Sequence, residues 1–292
     1  MVEIIWIGLI IAIFVFLMHK EIHHLTVSKY EIHSNKLPVE FDGVKVVLLT
    51  DLHNNTFGKN NEELLRRIRN EQPDYIMIAG DMLIGHKKAD YYETLSFLDT
   101  LSKEFDIYYV NGNHEQRLAE EKDTKDTIYK EYHDILVANG IHFVHNRTVK
   151  IKRNGAAINV TGLEIASEYY HKFNRPEMTI EYINKCIGRC DSKAYTILLA
   201  HNPMYFDYYA RWGADLVLSG HVHGGVMRLP YFGGVISPQY VLFPRYDSGR
   251  FEQDSSTMLL SRGLGVHTLK VRIFNRPEMM VFTLKKEKLQ GR

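Results

Sequence analysis

The chain has 292 residues, with 36 Lys and Arg against 35 Asp and Glu, 45% hydrophobic residues and 24% charged ones. That balance is of a folded globular chain, and a net charge of +1 supplies no field for steering polyanions, so no nucleic-acid partner is expected. Two cysteines exclude a disulfide framework and a cysteine-based zinc site, which leaves fifteen histidines as the unusual count.

From Ile4 to Met18 the residues are apolar without interruption. At about 1.5 Å per helical residue the run falls somewhat short of a hydrocarbon core about 30 Å thick, and Val2, His19 and a snorkelling Lys20 extend it. Glu3 before the run and His19-Lys20-Glu21 after it are wrong for a cleaved signal peptide. Residues 1–20 are therefore read as a single-pass anchor in the cell membrane. Lys20, Lys29 and Lys36 behind the run lean the body toward the cytoplasm. Cys186 and Cys190 are read as free thiols on one helix face.

Residues 21–42 read as a connector and a first strand, since Thr26 to Ile32 alternates apolar with polar, and residues 43–292 read as the main domain. Short apolar runs at Val44–Thr50, Tyr75–Ala79, Ile107–Val110, Ile197–Ala200 and Leu216–Leu218 predict buried strands. A helix capped by Asn61, with Leu64, Leu65 and Ile68 inward, is predicted between the first two, and another over Lys125–Ala138. Ile141–Leu163 switches to period two around Arg153-Asn154-Gly155, which predicts a hairpin, and Met258–Leu284 is rich in strand formers. The order predicts an α/β or α+β sheet sandwich. Phe-Asn-Arg-Pro-Glu-Met stands at Phe173–Met178 and again at Phe274–Met279 without matching flanks, so it marks no repeat architecture and reads as coincidence.

The chemistry lies in the residues directly after each strand: Asp51-Leu-His53, Gly80-Asp81, Gly112-Asn113-His114-Glu115, His201 and Gly220-His221-Val-His223. Carboxyl ends of neighbouring strands converge on one crevice in α/β sheets. Carboxylate, imidazole and amide oxygen together suit Mn, Fe or Zn rather than calcium. Strand alternation is expected to turn Asp51 and His53 to one face, and likewise His221 and His223, while Gly80, Gly112 and Gly220 permit sharp turns. Gly80 to His86 lacks the Lys and Ser/Thr of a nucleoside-triphosphate loop, no Gly-x-Ser-x-Gly elbow is present, and Gly263-Leu-Gly265 is too little for a dinucleotide fingerprint.

This ordered set resembles the calcineurin-like metallophosphoesterase superfamily over residues from about 44 to 285. His223-Gly224-Gly225 with Arg228-Leu229-Pro230, and Arg272 to Glu278, resemble its membrane-associated bacterial branch, which includes phosphoesterases similar to UDP-2,3-diacylglucosamine hydrolases. The resemblance implies a four-layer αββα sandwich of two mixed β-sheets with a bimetal site at the strand ends. It implies that Asp51, His53 and His223 hold one divalent ion, that Asn113, His201 and His221 hold the other, and that Asp81 bridges them. Mn2+ is the foremost metal, with Fe or Zn as alternatives. His114 would not bind metal but would stabilise the transition state or protonate the leaving group, as solvent between the ions attacks phosphorus in line. One departure is that Gly80-Asp81 continues Met82-Leu83-Ile84, without the second carboxylate of many relatives.

The implied activity is hydrolysis of a phosphoester or diphosphate in a lipid- or nucleotide-linked substrate. A phosphomonoesterase or protein phosphatase, and a metal-binding scaffold without turnover, are the alternatives. Arg117 and Arg228 are weaker candidates for touching phosphate. The aromatics of Gly224–Phe251 (Tyr231, Phe232, Tyr240, Phe243, Tyr246 and Phe251), with Tyr169, Tyr170 and Phe173, form either an ordinary packed loop or an apolar wall facing a bilayer.

Overall fold

The computed structural model describes residues 20–287 except 87, 88, 121–127, 173, 174, 226, 230, 238, 239 and 267–270, together with residues 6, 7, 9 and 18. Most of the run Ile4–Met18 lies outside the described residues. Among those described, no helix is long and apolar enough to cross a membrane.

Two six-stranded mixed sheets form the body. The first contains β1 (Thr26–Ser34), β2 (Lys45–Leu49), β3 (Tyr75–Ala79), β4 (Asp106–Val110), β5 (His142–Phe143) and β14 (Glu278–Lys286), in the order β1-β14-β2-β3-β4-β5. β2 to β5 are parallel, β14 runs antiparallel to β2, and β1 runs parallel to β14. The second contains β6 (Arg147–Arg153), β7 (Ala156–Leu163), β8 (Thr196–Ala200), β9 (Leu216–Ser219), β12 (Gly249–Gln253) and β13 (Ser256–Leu260), in the order β12-β13-β9-β8-β7-β6. Its four central strands are parallel and its two edges antiparallel. A small ribbon, β10 (Arg228–Leu229) with β11 (Gly233–Gly234), stands apart.

Alternation along each strand builds the layers. Val46, Leu48, Met77, Ala79, Tyr108 and Val110 meet Ile197, Leu199, Leu216, Leu218 and Leu259 between the sheets. The alternate residues of the first sheet, Val47, Leu49, Ile76, Ile78, Ile107 and Tyr109, face outward. They pack on α1 (Glu62–Glu71), α2 (Tyr92–Ser102) and α4 (Ile128–Ala138) through Leu64, Leu65, Ile68, Phe97, Leu98, Leu101, Tyr132 and Leu136. Leu198, Ala200, Val217, Met258 and Leu260 of the second sheet pack on α5 (Ile180–Ile187) and α6 (Phe206–Trp212) through Ile183, Phe206, Tyr209 and Trp212. The short helix α3 (Asn113–Ala119) follows β4. This is the expected αββα sandwich.

Several local expectations hold, and three change. The hairpin forms at the Asn154-Gly155 turn, with Arg153 opposite Ala156 and positive φ at both turn residues. Ile141–Leu163 is nevertheless not all hairpin, because β5 belongs to the other sheet. Met258–Leu284 likewise splits, β13 entering the second sheet and β14 the first. Asn61 does not cap α1 by its side chain. It is buried in a left-handed conformation at φ 57°, and its Oδ1 accepts the Phe57 N–H at 3.0 Å. Asn61→Ala should therefore cost about 2 kcal/mol or more, by losing a buried hydrogen bond and burdening the turn. Denaturant midpoints measure this, and an unchanged midpoint would refute the role.

Candidate metal centre

β2, β3 and β4 of the first sheet, and β8 and β9 of the second, end around one point. Asp51, His53, Asp81, Asn113, His201, His221 and His223 come together there, but strand alternation is not the cause. Asp51, His53, Asp81, His221 and His223 all have φ between 50° and 71°, so each belongs to a left-handed turn just past its strand. Non-glycine residues pay for that conformation with about 1–2 kcal/mol each, and such strain gathers at functional sites. The loops hold one another: Asp51 N–H donates to the Gly80 carbonyl, His53 N–H to that of Asp81 and Asn54 N–H to that of Met82.

The glycine expectation also needs correction. Gly80 has positive φ, but Gly112 and Gly220 do not. They are needed for close approach, since a Cβ on Gly112 would lie 2.1 Å from Asp81 Oδ1 and one on Gly220 2.2 Å from Asp51 Oδ2. Gly112→Ala should displace the Asp81 carboxylate and cost about 1–3 kcal/mol, checked by thermal unfolding together with metal content. Wild-type values for both would contradict it.

Hydrogen bonds fix the imidazoles. His201 Nδ1 donates to the Ala79 carbonyl at 2.6 Å, and its Nε2 lies 3.1 Å from Asp81 Oδ2. His53 Nδ1 faces the Leu83 carbonyl at 3.3 Å, leaving its Nε2 3.1 Å from His223 Nε2. His223 Nε2 lies 3.5 Å from Asp51 Oδ1. Backbone carbonyls that hold the far imidazole nitrogen orient the near one toward a metal. Asp51 accepts the His221 N–H, and Asp81 Oδ1 accepts the His114 N–H at 2.8 Å.

Among the described residues, three buried groups have ligand atoms close enough to hold an ion: Asp51, His53 and His223; Asp81, His201 and His221; and His53, Asp81 and His114. The Asn113 side-chain oxygen is buried and accepts no hydrogen bond among the described residues. An amide oxygen, carboxylates and imidazoles aimed at one place fit divalent cations of the Mn, Fe and Zn type. His114 differs from the other histidines. Its Nδ1 accepts the Gly85 N–H at 2.7 Å, which places the ring proton of the neutral imidazole on Nε2, 4.0 Å from Asp81 Oδ2.

Charge is dense at this point. Burial pushes the Asp51 carboxyl up to about 6, opposed chiefly by His201. Burial would raise Asp81 too, but the surrounding His201, His114 and His53 outweigh it and hold the carboxyl well below its usual range. For His201, burial disfavours the cation, yet Asp81 overcomes it and raises the imidazole to about 9. A divalent ion must therefore displace a proton from His201 near neutral pH. Titration of Mn2+ in buffers of different ionisation enthalpy should show proton release at neutral pH, with affinity rising as the pH approaches about 9 and levelling above it. Binding without proton release would contradict this protonation state.

Sequence reasoning assigns no role to three supporting residues. Glu115 accepts hydrogen bonds from the N–H groups of Asp81, Leu83 and Gly112 and from the Tyr109 hydroxyl, all at 2.8–3.0 Å. Burial followed by the charge of Asp81 pushes its carboxyl up to about 7. Buried Arg272 donates to the carbonyls of Arg262, Gly263, Gly265 and Asn275. The turn it grips joins the Asp51 loop, through Leu264 N–H to Thr50 O and Gly265 N–H to Asp51 O. Asn275 donates to the carbonyls of His223 and Gly225. Arg272 and Asn275 thus tie the approach to β14 to both the Asp51 and the His223 loops. Asn275 lies in the second Phe-Asn-Arg-Pro-Glu-Met segment and Arg272 just before it. In the first copy Phe173 and Asn174 lie outside the described residues.

A cavity of about 630 Å³ opens over these groups, lined by Asp81, Asn113, His114, His221 and His223. Ile84, Tyr170, Ile236, Tyr240, Val266 and Val271 form much of its wall, with Arg117 and Lys172 among its cations. The Tyr170 ring centroid is 5.1 Å from that of His221. Ile84 occupies the wall near where many relatives are expected to carry a second carboxylate. Arg228 is not among the cavity residues. Its guanidinium is held by Asp247 at 3.0 Å and by the Gly224 carbonyl. Of the predicted aromatics, Tyr169 and Tyr246 are core residues and Phe251 packs beside them, whereas Tyr231, Phe232, Tyr240 and Phe243 are exposed. Phe173 lies outside the described residues.

Residues 44–225 match the calcineurin-like phosphoesterase family, and the chain belongs to it. It is 27% identical over 270 residues to the uncharacterized metallophosphoesterase YkuE of Bacillus subtilis (strain 168), covering 91% of this chain and 87% of that protein. An uncharacterized metallophosphoesterase of Aquifex aeolicus (strain VF5) is 26% identical, over 91% of this chain and 94% of its own length. The Bos taurus transmembrane protein with metallophosphoesterase domain is 25% identical over 87% of this chain, which spans 55% of it.

Proposed function

We propose that this calcineurin-like phosphoesterase hydrolyses a phosphoester or diphosphate bond in a substrate with an apolar portion, using two divalent ions bridged by Asp81. The carrying observation is the Asp81 carboxylate. One oxygen is fixed by the His114 N–H, while the other faces His201 at 3.1 Å and His53 at 3.9 Å. In this reading Asp51, His53 and His223 hold one ion, Asn113, His201 and His221 hold the other, and Mn2+ is the first candidate. When bound, such ions supply an acidified water and neutralise phosphate oxygens.

The rest of the mechanism belongs to the chain. His114 has its proton on Nε2 because Gly85 occupies Nδ1, so it donates toward the phosphate or the departing oxygen. Glu115 fixes the Asp81, Leu83 and Gly112 amides, keeping the His114 helix in register with the Asp81 loop. Tyr170 walls the His221 side of the centre against water, and Arg117 offers positive charge at the cavity. Ile84, Ile236, Val266 and Val271 favour a lipid-linked substrate over a compact phosphomonoester. A diacylated sugar nucleotide is one such diphosphate. The Ile4–Met18 run as a membrane anchor belongs to the same proposal, supported by its apolar sequence and by the name of the Bos taurus relative.

Asp81→Ala should lose both bound metal and hydrolysis of an aryl phosphodiester. His114→Ala should retain the metal and lose about 100-fold or more in turnover. Metal content and initial rates on metal-reconstituted protein measure both outcomes. An Asp81→Ala protein with full metal and full activity would refute the shared-carboxylate reading.

A further inference from the structure

We propose that the ribbon and turns of residues 228–229, 231–237 and 240–243, with Phe274, form a membrane-docking surface that seats the mouth of the cavity on a lipid bilayer. The exposed apolar side chains are Leu229, Tyr231, Phe232, Leu242, Phe243 and Phe274. Phe232 is 74% exposed, Leu242 65% and Phe274 70%, which is unusual for apolar groups of this size on one local structure.

Backbone pairing makes them neighbours. Leu229 pairs with Gly233, so Tyr231 and Phe232 form the tip of the ribbon. Ile236 pairs with Leu242, and Phe243 N–H donates to the Val235 carbonyl. Met227 bridges to Ile273 and Arg228 N–H donates to the Ile273 carbonyl, bringing Phe274 alongside. Asp247 anchors the ribbon from behind, holding the Arg228 guanidinium and the Gly234 N–H. Ile236 and Tyr240 line the cavity itself, and Lys172 lies 3.8 Å over the Tyr240 ring, joining the patch to the mouth.

The direction of the chain identifies the occupant. β14 starts beside the carboxyl end of β2, the end that carries Asp51, because Met280 pairs with Leu48. β1 starts with it, Thr26 opposite Glu278, and Thr26 N–H donates to the Pro277 carbonyl. Residues 20–23 are helical, and Glu21 pairs with Arg276 at 3.3 Å, two residues from Phe274. Residues 20–23, which follow the apolar run Ile4–Met18 in the sequence, therefore join the body at the cavity end. Tyrosines and phenylalanines with Lys172 against Tyr240 suit the headgroup layer, where amphipathic rings and snorkelling lysines settle. The inference rests on the anchor reading above and adds a second, independent contact that turns the cavity toward lipid.

The test uses the full chain in phosphatidylcholine vesicles, with Trp6→Phe removing the tryptophan of the apolar run and leaving buried Trp212 as background. Phe232→Trp and, separately, Tyr231→Trp report on the patch. Val39→Trp reports on the exposed turn before β2, at the far end of the sheet. With brominated phosphatidylcholine, the patch tryptophans should lose at least about half of their added fluorescence while the Val39→Trp signal stays unchanged. Vesicle flotation reads the anchor separately. A chain that floats with both patch tryptophans unquenched keeps the anchor and overturns the docking surface. Patch tryptophans shielded from iodide but not quenched by lipid overturn it in favour of a second protein copy.

Discussion

Everything at this centre depends on burying two carboxylates almost completely. Asp51 and Asp81 lie behind the ends of both sheets, and each accepts a backbone N–H from a loop belonging to another strand. Isolated buried carboxylates would be prohibitively costly, so the surrounding imidazoles and amide donors are obligatory partners. The same demand explains the bare backbone at Gly112 and Gly220, where any side chain would strike a carboxylate oxygen. It also explains why five candidate ligands occupy left-handed turns rather than strand ends.

The sandwich supplies rigidity where the loops are strained. Three hydrophobic layers fix the strand ends, and the centre forms where the two sheets present those ends together. A second ring of contacts then restrains the loops: Glu115 under Asp81, and Arg272 with Asn275 under the Asp51 and His223 loops. A clasp made mainly to carbonyls suits that task, because it holds backbone without competing for the ligand atoms.

The fold class was legible because uninterrupted apolar residues in short runs specify strands buried on both faces, as Val46 to Leu49 and Tyr75 to Ala79 illustrate. The position of the predicted ligands was legible because polar residues directly after such runs must gather at one end. What stayed hidden depends on contacts distant in sequence. Nothing near Asn275 in the chain reveals that it binds the His223 and Gly225 carbonyls, and nothing near Gly112 reveals Asp81. The tautomer of His114 likewise depends on Gly85, nearly thirty residues earlier. The aromatic segment divided for the same reason: Tyr246 finds Phe206 and the core, whereas Phe232 projects from a ribbon tip.

The most direct measurement is anomalous diffraction from crystals of the protein grown with Mn2+. The account predicts two peaks roughly 3.5–4 Å apart with Asp81 between them, Asp51, His53 and His223 around one, and Asn113, His201 and His221 around the other. A single peak, or two peaks that Asp81 does not join, would contradict it.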